Sequence, residues 1–201
     1  MRVVAAGAYV LPAIAANAVL QALLVLPDPT AEASVGFLLG ALASGLVALA
    51  TYAVLVATTV SPDASAMKHA LRVRGLRFAA WTIALTVLVV IGTAFFLGVP
   101  GYVIAAVSVY LPIAAMSAGG NPLAAGFSAI GRRPLAYLLR LLLTIIVAAV
   151  IFVQAAVTSF FVGGAAATAI TMLVIGLLAW WLTRVWSTAF ARATLVAADS
   201  P

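Results

Sequence analysis

The chain contains no cysteine, which excludes disulfides and thiolate metal sites and leaves the redox compartment open. Histidine occurs once, at His69, and acids occur four times, as Asp28, Glu32, Asp63 and Asp199. Hydrolysis or acyl transfer needs a nucleophile with a base, or a metal with several ligands. These four carboxylates sit at the ends of apolar runs or in the connections between them, and His69 stands beside Lys68 in a basic stretch. No glycine-rich phosphate loop joins a strand to a helix. The residues therefore point away from an enzyme, and they imply no cofactor, metal or catalytic group.

Charge is scarce as well. Lys, Arg, Asp and Glu make up 7% of 201 residues, against 67% hydrophobic, with a mean hydropathy of +1.30. A soluble domain carries roughly 25% charged residues, so water is not the main solvent for this chain. What fills the sequence instead is long apolar runs. Measured against the ~20 residues that a helix needs to cross a bilayer, they give six spans, at approximately 3–26, 34–60, 76–98, 99–117, 135–162 and 165–190. The runs are too long for the ~10-residue strands of a membrane barrel and do not alternate. The expected fold is all-α: a polytopic transmembrane helix bundle of six spans in a single domain, 1–201. The first run of about 24 residues exceeds the ~7–15 of a signal-peptide core and is read as a retained span.

The ten basic residues partition to one side. Arg2 precedes span one, while Lys68, Arg72, Arg74 and Arg77 follow span two. Arg132, Arg133 and Arg140 lie at the start of span five, and Arg184 and Arg192 at the end of span six. The opposite connections, 27–33, 97–101 and 162–166, hold no Lys or Arg. The positive-inside rule puts both termini in the cytoplasm of a multi-pass protein of the cell membrane. Topology thus accounts for the net charge of +6 without nucleic acid.

Residues 61–72, SPDASAMKHALR, and 121–132, NPLAAGFSAIGR, align at an offset of 60, Ser61-Pro62 with Asn121-Pro122 and Arg72 with Arg132. A capping residue followed by Pro is the pattern of Ncap and N1. The reading is a degenerate parallel repeat of span, short cytoplasmic helix and span, giving two short interfacial helices. In the first, Met67, Ala70 and Leu71 form an apolar face and Lys68 and Arg72 another side, as suits a helix among lipid phosphates. Lys68, Arg72, Arg74, Arg77, Arg132 and Arg133 are the candidate patch for lipid phosphate or an acidic partner.

The run GVPGYVIAAVSVYLPIAAMSAGGNPLAAGFSAIGRRP, with Pro100, Gly101, Pro122, Ala125 and Arg132-Arg133, resembles the six-span membrane domain attached to some bacterial glycerophosphoryl diester phosphodiesterases and its stand-alone relatives of unknown function. Ser128 stands one position earlier than in that pattern, and the charged residues usual in the helix are missing. The resemblance covers about 40 residues. It implies a fold and carries over no activity.

Two further faces stand out. On span two, Gly36, Gly40, Ser44 and Ala48 recur every four residues, the small-residue pattern that lets another backbone approach closely in lipid. On span one, Tyr9, Asn17 and Gln21 share a face beside Pro12. They line a small polar cavity or hydrogen-bond to a neighbouring helix. The expected function is non-catalytic: helix contacts with membrane lipids, other membrane proteins or a second copy, in an accessory or assembly role. The alternative is a substrate-binding or permease-like transport component for a neutral or apolar small molecule.

Overall fold

Apolar runs without water around them must close their backbone hydrogen bonds internally, and a helix does so within one segment. The computed structural model describes residues 5–25, 34–95, 110–117, 121–124, 131 and 134–198. A 3-10 turn at Ala6–Tyr9 leads into α1 (Val10–Val25), followed by α2 (Val35–Val60), α3 (Ala64–Phe95), α4 (Tyr110–Ser117), α5 (Pro134–Phe161) and α6 (Gly164–Ala198). Among the described residues there is no strand, only an isolated bridge between Ala5 and Asp63. Among the described residues, four helices are long and apolar enough to cross a membrane: Ala6–Leu24, Val35–Val60, Pro134–Phe161 and Gly164–Thr188. They answer to expected spans one, two, five and six. Of span four, only α4 lies within the described residues.

The stretch 61–72 departs from expectation. It is not a separate short helix, because one helix of 32 residues runs from Ala64 to Phe95. In Arg72-Val73-Arg74-Gly75-Leu76 only Gly75 disfavours helix, by about 1 kcal/mol, too little to interrupt good helix formers on either side. The expected cap is also displaced. Ser61 ends α2 in extended backbone, and Asp63 caps α3 instead. Its carboxylate accepts from the Ser65 and Ala66 amides at 2.8 and 2.9 Å and from the Ser65 hydroxyl at 2.7 Å. Those three bonds, the Ala66 amide foremost, hold its pKa below the ordinary carboxylate value. At the equivalent position Asn121 does cap, accepting from the Leu123 amide at 3.0 Å. Residues 125–130 and 132–133 of the second short helix lie outside the described residues.

α6 is the hub, packing on α1, α2, α4 and α5, while α2 also meets α1, α3 and α4. α5 returns into α6 through Gly163 and Gly164, whose φ of 68° and 55° favour residues without a Cβ. The main core gathers Phe78, Leu111, Ile113, Met116, Tyr137 and Trp186. α1 and α6 cross closely. A Cβ built on Gly176 would lie 2.6 Å from Ile14 Cγ2, so only glycine admits this approach.

Candidate functional site

The polar face of span one does not act as a unit. Gln21 and Ser44 are locked together: Gln21 Nε2 donates to the Ser44 carbonyl at 2.9 Å, and the Ser44 hydroxyl donates to Gln21 Oε1 at 2.6 Å. One residue from the expected polar stripe thus meets one from the expected small-residue stripe, and together they clamp α1 to α2. Bonds of this kind contribute about 0.6–2 kcal/mol in a membrane bundle. Asn17, one turn away, is buried, and its Oδ1 has no hydrogen-bond partner among the described residues. Tyr9 stands apart on the 3-10 turn, exposed.

The rest of the span-two stripe faces away from the bundle. Gly36 and Ala48 are exposed and Gly40 is half-exposed. A Cβ built on Gly40 meets nothing within 4 Å, and one on Gly36 meets only Ser34 Oγ, at 3.7 Å. Leu38, Leu39, Leu42 and Leu46 around them are also exposed. Only Ser44 of the four serves the internal fold.

The basic cluster divides. Arg74 turns inward, and its Nη1 donates to the carbonyls of Met116 and Ser117 at 2.8 and 3.1 Å, satisfying the orphan acceptors at the end of α4. Arg77 is engaged as well. Lys68, His69 and Arg72 are exposed. The apolar face expected at the membrane interface is covered by protein instead: Met67 packs on Ala6 and Ala57, and Ala70 joins the main core. Met67 and Ala70 have neighbours to bury against because the N-terminal turn is tied down, its Ala6 amide reaching the Pro62 carbonyl. Arg132 and Arg133 lie outside the described residues.

Three features escaped sequence reasoning. One is the Gly176–Ile14 crossing. Another is the node in which fully buried Trp186 donates to the Thr144 hydroxyl at 3.1 Å and meets Tyr137 edge-on at 5.3 Å. The third is a groove of about 520 Å³ along α5, lined by Ile146, Val150, Val153, Gln154 and Val157 among others. Gln154 is bonded to Thr158 within the same helix. For the α5 groove the signal was present: Ile146, Val150, Val153 and Val157 recur at spacings of four and three. For Gly176 there was none, since no second small residue stands four positions away on either side.

Chemically, most polar groups described in this bundle cap or clamp helices; among the described residues, the buried oxygens Asn17 Oδ1 and Gln154 Oε1 meet no hydrogen-bond donor, and Lys68 and Arg72 are exposed. No protein-family model, curated protein or solved structure matches the chain.

Proposed function

We propose that this is a non-catalytic integral membrane protein that works by helix contact with partner membrane proteins or lipids, in an accessory or assembly role. The observation that carries the reading is the open side of Gly40, where a long apolar helix presents small residues outward and no atom of the described residues lies within 4 Å of a built Cβ. In lipid, close backbone approach at such positions is a main source of helix association. Six spans with both termini in the cytoplasm are part of the proposal. They are supported by the one-sided distribution of the ten basic residues and by the resemblance to the phosphodiesterase membrane domain.

The test is Gly40→Leu, with affinity capture and a thermal melt on the same preparation. Space around Gly40 means the fold should survive, so loss of a co-purifying partner or of an oligomer reports on contact. A folded variant that keeps every partner removes the reading. Asn17 favours the second reading, a transport component for a neutral small molecule, because a buried carbonyl without a partner suits a ligand donor. Uptake abolished by Asn17→Leu and unaffected by Gly40→Leu would select that alternative.

A further inference from the structure

We infer that α3 carries a site for one anionic phospholipid, its phosphate held by Lys68 and Arg72 and its acyl chains lying along the outer face of the same helix. The inference rests on the membrane reading above and adds a partner of defined chemistry. Because α3 is continuous, its exposed face can be followed from one end to the other. It begins with Lys68, His69 and Arg72, exposed on neighbouring turns. It then changes character within one turn: Val73 is 62% exposed, Leu76 87%, Ile83 52% and Val87 51%. An apolar face this open needs hydrocarbon around it, and a basic face needs water or phosphate. The boundary between the two solvents therefore crosses α3 between Arg72 and Leu76.

Lys68 and Arg72 are one turn apart, about 6 Å along the axis, and Ile83 lies about 16 Å below Arg72 at 1.5 Å per residue. That depth is close to half of the ~30 Å hydrocarbon core, the reach of one leaflet's acyl chain. Charge complementarity selects the headgroup. The nearest acid in sequence, Asp63, is engaged in capping α3 and leaves both cations unneutralised by it. Arg74 and Arg77 are not part of the site, since Arg74 closes the end of α4 and Arg77 has a partner of its own.

The full chain, reconstituted in nanodiscs with a fixed fraction of phosphatidylglycerol in phosphatidylcholine, tests this by the lipid that co-purifies, read by native mass spectrometry. The preference for phosphatidylglycerol should fall roughly fivefold for each cation removed, and more than tenfold in Lys68→Gln/Arg72→Gln. Lys68→Arg/Arg72→Lys should retain it. Arg74→Gln should lower the melting temperature and leave the preference intact. Inorganic phosphate at millimolar concentration should not displace the lipid; displacement would mean a site for free phosphate and overturn the assignment. Unchanged preference in the folded double variant, or loss in Arg74→Gln alone, would also overturn it. Failure of the wild-type chain to incorporate into the nanodisc bilayer would sink the membrane reading itself. Partner capture through Gly40 should be indifferent to Lys68→Gln/Arg72→Gln, so the two proposals fail separately.

Discussion

Two glycines within apolar helices should respond in opposite ways to the same added methyl group. At Gly176 the new carbon would lie 2.6 Å from Ile14 Cγ2, 3.0 Å from Cγ1 and 3.3 Å from Cβ. Ile14 is 1% exposed and packed with Val10 and Leu55 against Ala179 and Trp180. A β-branched side chain in a helix has essentially one χ1 rotamer, so Ile14 cannot swing aside and α1 must move off α6. Overpacking of this kind costs about 1–3 kcal/mol. The better helix propensity of alanine returns at most about 1 kcal/mol; with that full return Gly176→Ala is destabilised by up to about 2 kcal/mol.

Gly40→Ala meets nothing within 4 Å and should be neutral or stabilised by up to about 1 kcal/mol. Thermal unfolding of both variants in one detergent makes the comparison internal. Ile14→Ala removes the two γ carbons that clash. In that background the penalty of Gly176→Ala should shrink, a coupling that a double-mutant cycle isolates. A Gly176→Ala protein as stable as Gly40→Ala, or a penalty unchanged beside Ile14→Ala, would refute the close crossing.

Gln21→Leu should cost about 0.6–2 kcal/mol by thermal melt, and adding Ser44→Ala should cost little more, because one interaction has already been lost. Arg74→Gln removes a charged donor from two carbonyls and should cost about 1.5–3 kcal/mol, with faster amide exchange concentrated in α4. Asp63 has its pKa held below the ordinary carboxylate value of about 4, so its capping contributes full stability above that value and loses it as pH falls from there through the lowered folded value. Melting temperature should drop on acidification in the wild type and less so in Asp63→Asn, whose amide oxygen can still cap.

How much of this was legible in the sequence depends on what each signal was made of. The helices were legible because a run of apolar residues in lipid has few other ways to satisfy its backbone. Their interruptions were less so. Ser61-Pro62 carries the pattern of a helix start, yet α2 uses Ser61 to end itself and Asp63 offers a carboxylate that accepts three bonds. A cap is chosen by competition among neighbours, which a pattern match does not weigh. Arg74 looked the same as Arg72 in sequence. They part because they project from different sides of one helix, and the last carbonyls of α4, at Met116 and Ser117, stand beside Arg74.

The small residues show why inside and outside are hard to separate in this solvent. In water, an apolar face is buried and a polar face is not, so periodicity reveals the core. In lipid, Leu38 and Leu42 can face outward at no cost, and the stripe beside them gives no hint of which side the protein lies on. Gly40 sits in a regular small-residue pattern with its outer side open, whereas Gly176, in no pattern at all, touches Ile14. The pattern marks a surface able to accept a backbone. It does not say whose backbone. Within this chain the acceptor is at Gly176, where α1 has already arrived. The surface at Gly40 keeps that capacity with no occupant among the described residues, and for that reason the contact reading is placed on α2.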